Sequence, residues 1–401
     1  MVTEDYKHIP KKALEHALRQ PEKSPAQTKA SLFALAVVSV GLLGWFVYAS
    51  TNPRQLVIKG QTMGTHYVVK YISGAVDEED SSATQADFTS LTTGIEDLLE
   101  RLNAQVSTYD PDSEISKFNN SRSLEPITLS ADFFAVVELA SKVHERSRFA
   151  FDPTIAPLIN VWGFGEKTSR KKMVLPDPDA LKKAAAKVGF KKHLKLDPQT
   201  QSLQKMHPEI SVNISAIAKG YGVDKIAQYL EEQGLKHYLV DIGGETRARG
   251  MNVNKQPWSV GIQTPTAVTE NSPSEEASHV KRVIPLKNMS LATSGTYLNF
   301  FIKDGKRYSH ILDPRTSYPI DHLVASVSVM AKRCIEADAY ATALLVLGLK
   351  EGLALAEKLG IAALFMTGDV PHGTNKDFKI TTSSAWKSLV KNQHNLQKTQ
   401  P

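Results

Sequence analysis

An unbroken run of 24 uncharged residues, Ala30 to Pro53, divides the chain into two very unequal parts. Its centre, SLFALAVVSVGLLGWFVYAS, is 20 residues without an Asp, Glu, Lys, Arg or His side chain. At ~1.5 Å rise per residue, one helix of that length crosses the ~30 Å hydrocarbon layer of a bilayer. The run has no polar face, which argues against a helix packed on a soluble core. Lys7, Lys11, Lys12, Arg19, Lys23 and Lys29 precede it, and the positive-inside rule then keeps that end in the cytoplasm. The expected layout is a cytoplasmic tail over 1–29 and a single-pass transmembrane anchor or uncleaved signal over 30–53. The rest would be a periplasmic domain held at the inner membrane. A cleaved signal peptide is the alternative, with small residues around Val47-Tyr48-Ala49. Against it, the basic lead-in is long and the apolar run exceeds the usual ~7–15 residues. No cysteine lies near the run, which excludes lipid attachment there.

The portion past Pro53 is long enough for one large domain with an ample core. The net charge of +6 is spread along the chain, and its short clusters, Arg170-Lys171-Lys172 and Lys191-Lys192, lack interleaved aromatics. No nucleic-acid surface is expected from them. Cys334 is the single cysteine, so an intrachain disulfide framework and a cysteine-rich metal site are both excluded.

Helical and strand patterns alternate irregularly over 54–391. QLVIKGQTMGTHYVVKYI, from Gln55, predicts two strands around a glycine turn. Helices are predicted near 87–103, 130–146, 215–233 and 335–350, and strands near 236–242, 257–263 and 323–331. The fold class read from this is α+β, a single mixed domain rather than a doubly wound sheet. PTAVTENSPSEEASHV, residues 265–280, predicts an exposed loop, and 392–401 a flexible polar tail.

Several stretches could carry chemistry. In VNISAIAKGYGVDKIAQYL, Asn213 or Ser215 could cap a helix whose first turns hold Lys219, Gly220 and Gly222. Each helical glycine costs ~1 kcal/mol against alanine, which is understandable if something approaches the backbone closely. A helix start beside a lysine suits a phosphate, and tight packing with a solvent-facing lysine is the plain alternative. YLVDIGGETRARG reads as a strand running into a Gly243-Gly244 turn, between Asp241 and Glu245. Asp338 and Thr342 stand at i and i+4 in EADAYATALLVLGL, so they share a helix face. A carboxylate beside a hydroxyl suits a hard cation such as Mg²⁺; alternatively, Asp338 caps its own helix and Thr342 bonds one turn back. His310, in RYSHILDPRTSYPI, could act as a base or be structural. SLATSGTYLNFF supplies hydroxyls around Gly295. Trp162, Gly163 and Phe164 could form a platform for a flat ring or belong to the core.

In order and combination these stretches resemble the ApbE family, the FAD:protein FMN transferases. The resemblance runs from about 55 to 390 through QTMGTHYVV, LNAQVSTYDPDSEISKFN, FDPTIAPLINVWGFG, VNISAIAKGYGVDKIA, YLVDIGGE, LATSGTYLNFF, YSHILDPRTSYPI and EADAYATALLVLG. It implies Mg²⁺-dependent transfer of FMN from FAD, the substrate, to a Ser or Thr of a partner flavoprotein, with release of AMP. The implied acceptors are flavin-carrying subunits of redox pumps or related electron-transfer proteins. By similarity, Met63, Tyr109, Trp162, Gly163, Phe164, Asn213, Lys219 and Leu312 fall at FAD-contacting positions. The Ala216 carbonyl, Asp338 and Thr342 match the Mg²⁺ ligands, which gives Asp338 a catalytic part. His310 matches the base that activates the acceptor hydroxyl. Ala341 stands where some relatives carry a second Asp, which implies a metal shell with fewer carboxylates and more water. Two other readings stay open: an FAD pyrophosphatase giving free FMN and AMP, and a non-enzymatic, membrane-tethered flavin-binding protein.

Overall fold

The computed structural model describes residues 53–74, 87–165, 175–265, 280–297, 299–368 and 378–398. The tail over 1–29, the apolar run up to Asn52 and all but the ends of the 265–280 loop lie outside the described residues.

The frame is an eight-stranded sheet whose spatial order repeats the order along the chain. Its strands are β1 (Arg54–Thr62), β2 (Thr65–Ser73), β3 (Tyr238–Ile242), β4 (Glu245–Arg249), β5 (Met289–Gly295), β6 (Val324–Ala331), β7 (Ala362–Thr367) and β8 (Lys379–Thr382). Every neighbouring pair is antiparallel. Two joints are two-residue hairpins, Met63-Gly64 and Gly243-Gly244, with positive φ at both positions. That geometry matches the twist of the flanking strands. The Gly pair at 243–244 thus turns the chain. The predicted strands at 236–242, 257–263 and 323–331 are present, the second as Trp258–Gln263 in a separate hairpin with Val280–Leu286.

Side chains alternate across the sheet. Ala362, Leu364 and Met366 of β7 enter one core, while Ala363 and Phe365 enter another. The first core also holds Trp258, Ile284 and Trp386, so the separate hairpin and the last helix cover that face. With both faces covered, β6 reads as a nearly continuous apolar strand, buried from Val324 to Met330. The other face carries the helices that bear on the site: α1 (Phe88–Val106), α2 (Glu114–Asn120), α3 (Ala131–Arg146), α4 (Ala218–Glu232) and α5 (Cys334–Leu359). Asp87 and Ser130 cap α1 and α3 by accepting amide hydrogens three residues on.

Two helix ends differ from the sequence reading. The pattern predicts an end to α5 near residue 350; the helix runs to Leu359 across a kink at Gly348, whose φ is 71°. Its length and composition would also suit a membrane span, but it is the central helix of this domain and mostly buried. The last helix, α6 (Ser384–Lys398), continues past Lys391, where the sequence suggests a flexible tail. Gln393 pins it there, accepting from the Lys287 amide at 3.0 Å and donating to the Lys287 carbonyl at 3.2 Å.

Close packing within the protein explains the glycines of VNISAIAKGYGVDKIA, Gly220 against α5 and Gly222 against the sheet. A Cβ on Gly220 would stand 2.6 Å from the Cys334 carbonyl oxygen and 2.8 Å from Asp338 Cβ. One on Gly222 would stand 3.1 Å from Met63 Cε and from Ile242 Cδ1. The close approach is made by the protein itself. Gly220→Ala must therefore push two helices apart, at a cost of ~1–3 kcal/mol or more. Gly222→Ala meets side-chain ends that yield and gains ~1 kcal/mol of helix propensity, so it should be near neutral. Urea unfolding of the two variants measures the contrast, and equal midpoints would refute the packing account.

Candidate active site

A cavity of about 900 Å³ lies where the start of α4, the head of β4, the end of β5, the segment 310–312 and one face of α5 converge. Tyr109, Phe164, Asn213, Ala216, Lys219, His310, Leu312, Asp338 and Thr342 all line it. These are nine of the residues the family resemblance singles out, brought together from five separate stretches of chain. Met63, Trp162 and Gly163 do not line it. Met63 packs against Gly222 in the main core, and Trp162 is buried, donating from Nε1 to the Ser317 carbonyl at 2.9 Å. Trp162 stacks on Tyr308, Tyr308 on Phe301, and Phe301 meets Phe164, whose ring edge meets His310. The aromatics are thus a packed cluster behind the cavity wall, of which Phe164 alone reaches the lining.

Neither Asn213 nor Ser215 caps α4. The helix starts at Ala218 after Ile217, which offers no side-chain bond, and Asn213 Oδ1 instead accepts from the Ser215 amide at 3.0 Å. The open amide of Gly220 donates to Asp338 Oδ2 at 3.0 Å. Asp338 is thus a cap, but for α4 and not for its own helix. The exchange is mutual. α5 begins after Arg333 with no cap of its own, and Asp224 of α4 accepts from the amides of Cys334 and Ile335 at 2.9 and 3.0 Å. Arg247 Nη1 holds the same carboxylate at 2.7 Å.

Charge is crowded at this junction. Lys219 Nζ sits 2.5 Å from Glu245 Oε2, so it faces a carboxylate and not bulk solvent. Burial works against the lysine's charge, but Glu245 and Asp338 outweigh it and raise its pKa. Burial, then the nearby Asp338 charge, raises the pKa of the Glu245 carboxyl despite the lysine. Burial likewise raises Asp338, with Lys219 and the Gly220 amide pulling the other way. Thr342 does not bond back along its helix; its hydroxyl lies 2.8 Å from Ser294 Oγ at the end of β5.

His310 follows the strand Lys306–Ser309 and is half-buried. Its Nδ1 lies 2.9 Å from the Asn299 carbonyl. A carbonyl only accepts, so Nδ1 carries the hydrogen and Nε2 keeps the basic lone pair. Burial lowers the pKa of the imidazole, which keeps that lone pair available under mildly acidic conditions.

Among the described residues, no group of three or more His, Cys, Asp and Glu side chains is gathered as a metal site. Three buried carboxylates line the cavity, Asp152, Glu245 and Asp338, and on the Thr342 face Asp338 stands with the neutral oxygens of Thr342, Ser294 and the Ala216 main chain. That donor set fits Mg²⁺, which binds through one or two carboxylates and fills its shell with water and substrate phosphate oxygens. Glu245, Ser294 and Asp224 carry more of the site than the sequence reading gave them. Their partners lie 26, 48 and 110 residues away, beyond any local pattern. A usable signal existed for Asp224, which shares a helix face with Gly220 at i+4.

The capping bond generates a test. In metal-free protein, Asp338→Ala leaves the buried Gly220 amide without an acceptor, a loss of ~1–3 kcal/mol. Asp338→Asn keeps an acceptor oxygen and should unfold at a higher urea concentration than Asp338→Ala. Coincident transitions would mean that the bond contributes nothing.

The ApbE family model matches residues 63–365. The chain is 36% identical over 356 residues to the FAD:protein FMN transferase of Haemophilus influenzae, covering 88% of this chain and 97% of that one. It is 40% identical over 337 residues to the FAD:protein FMN transferase of Vibrio cholerae, covering 84% and 93%. Among solved structures, the flavin transferase ApbE from Vibrio cholerae superposes with a TM-score of 0.72 at 38% identity, covering 84% of this chain and 99% of that one. The apo form of the Pseudomonas stutzeri flavinyl transferase ApbE gives 0.70 at 32% identity, covering 84% and 97%. Matched along most of its length in sequence, and in fold by a large antiparallel sheet with its helices, the chain belongs to the ApbE family.

Proposed function

We propose that this chain transfers FMN from FAD to a Ser or Thr hydroxyl of a partner flavoprotein, forming a phosphoester and releasing AMP. One observation carries the reading beyond the relatives' shared name. A histidine with its tautomer fixed for accepting a proton lines the same cavity as a lysine and a set of oxygen donors suited to a hard cation.

In the proposed reaction the acceptor hydroxyl oxygen forms a bond to the FMN phosphorus as the bond from that phosphorus to the AMP oxygen breaks. The hydroxyl proton passes to His310 Nε2. Asn213, Tyr109 and Phe164 line the space for the dinucleotide, and Lys219, held by Glu245, offers charge to its diphosphate. Asp338, Thr342 and the Ala216 carbonyl would hold Mg²⁺. When bound, the ion supplies charge stabilisation to the phosphate oxygens. The acceptor is read as a flavin-carrying subunit of a redox pump or a related electron-transfer protein. The domain is read as periplasmic, anchored by the apolar run that ends at Pro53.

The test is incubation of the protein with FAD, Mg²⁺ and a candidate acceptor, followed by mass measurement of the acceptor and assay of AMP. Covalent FMN on the acceptor with matching AMP supports transfer. Free FMN with AMP points to the pyrophosphatase, and flavin binding without AMP points to a carrier. Chelation of Mg²⁺ should stop AMP release. His310→Asn should slow transfer by ~10²–10⁴-fold, the usual loss of a general base, with FAD affinity kept. Because burial lowers its pKa, the acid limb of the native rate should lie below the ordinary imidazole value of ~6.5. A limb at or above that value, or normal transfer by His310→Asn, would remove His310 from the role.

The membrane reading has its own test. The full chain should stay with membranes through high-salt washing, and a reporter that works only outside the cytoplasm should be active when fused after Pro401. A soluble form starting near Ser50 would identify the apolar run as a cleaved signal.

A further inference from the structure

The segment SEISKFN, within the second stretch of family resemblance, has so far been given no part in the site. Its last residues form the end of α2, and Asn119 there makes an unusual pair of bonds. Its Nδ2 donates to the Val212 carbonyl at 2.9 Å, and its Oδ1 accepts from the Val212 amide at 2.7 Å. A side chain thereby holds one residue of a distant stretch by both of its main-chain groups, as a strand neighbour would. Asn119, Val212 and Asn213 all line the cavity.

Asn119 is itself held by a buried cation. Lys205 is 1% exposed, and among the described residues no carboxylate pairs with it. Its Nζ donates to the carbonyls of Asn119 at 3.0 Å and Ser121 at 2.8 Å, and lies 4.9 Å from the Phe118 ring centre. The end of a helix, where carbonyls are left open and the dipole is negative, is the one place where such a charge is partly compensated. Burial, and to a lesser degree the charge of Arg122, still pulls its pKa down to about 8. An unpaired buried ammonium is a costly way to finish a seven-residue helix. It is understandable if the position of Asn119 matters.

The geometry points to Asn119 as a positioning residue for flavin binding, with Lys205 fixing its main chain; this rests on the cavity being the FAD site. The stretch between Val212 and α4 is suspended between two anchors. At one end Asn119 clasps Val212, and the next amide, that of Asn213, donates to the Pro153 carbonyl at 2.6 Å. At the other end Asp338 accepts from Gly220. Asn213, Ala216 and Lys219 lie between them and face the substrate. Releasing the clasp lets Asn213 move in the cavity while His310, on a different part of the chain, keeps its place.

The experiment compares the native chain with Asn119→Ala, Asn119→Asp and Lys205→Met in steady-state FMN transfer, varying FAD and acceptor separately. Asn119→Ala, which loses both bonds, should raise KM for FAD by about 10-fold or more. Its kcat at saturating FAD should fall by much less, and KM for the acceptor should be unchanged. Asn119→Asp keeps the acceptor for the Val212 amide but sets a carboxylate against the Val212 carbonyl. It should shift KM for FAD in the same direction, and serves if the alanine variant fails to fold. Lys205→Met should give a smaller rise of the same kind. Hydrogen exchange at the Val212 amide reports the clasp without any turnover and should quicken in both Asn119 variants. An unchanged KM for FAD overturns the proposal. So does a loss of kcat in proportion to unfolded protein with both KM values unchanged, since that marks a purely structural residue. If the native chain transfers no FMN, the transferase reading fails by itself, and FAD binding followed by fluorescence still decides on the clasp.

Discussion

The site depends on an exchange of caps between two helices. α4 and α5 each begin without a side-chain cap of their own, and each supplies a carboxylate to the other: Asp338 to Gly220, and Asp224 to Cys334 and Ile335. Bonds of this kind are short, so the two helix starts must nearly touch, and only a residue without a side chain fits at Gly220. The same closeness puts Lys219 on one helix beside Asp338 and Thr342 on the other. Placement of the chemical groups and stability of the helix pair are therefore one problem with one solution.

Much of the frame is legible in the sequence because its signals are local. The Gly243-Gly244 turn, the caps at Asp87 and Ser130, and the apolar periodicity of α1, α3 and α4 depend on neighbours a few residues apart. Legibility ends where long-range contact overrides local pattern. The glycines of α4 suggest a ligand at the backbone, but the neighbours are α5 at Gly220 and Met63 with Ile242 at Gly222. Trp162 beside Gly163 suggests a ring platform, but Tyr308 and Ser317, far along the chain, draw it into the core. The polarity past Lys391 suggests fraying, yet one glutamine finds both main-chain groups of Lys287.

The candidate site is legible in a different way. No single stretch identifies it, since a carboxylate and a hydroxyl at i and i+4, or a histidine after a strand, occur widely. Their order along one chain carries the family signal, and the fold then gathers nine of the residues around one cavity. What the order does not give is the electrostatic pairing. Glu245 neutralises Lys219 across 26 residues, so a lysine that seems free for phosphate in the sequence is already engaged.

That engagement bears on how the cavity could accept a diphosphate at all. Among the described residues its lining holds one lysine against three carboxylates, Asp152, Glu245 and Asp338. Asp152 is committed to structure, accepting from Thr154 through one oxygen and from the Phe190 amide through the other. The other two share Lys219, and burial raises the pKa of both carboxyls against the pull of that lysine. A diphosphate brought to this surface adds negative charge beside two carboxyls whose ionisation burial already disfavours. The amides at the start of α4 help little, because Asp338 has taken one of them. A divalent cation held by Asp338 and Thr342 would change the balance. It would offset Asp338, relieve Glu245 of its neighbour's field, and leave the Lys219 charge less divided between two carboxylates. The charges on the protein side thus support the part proposed for a cation, without assuming any geometry for the ion.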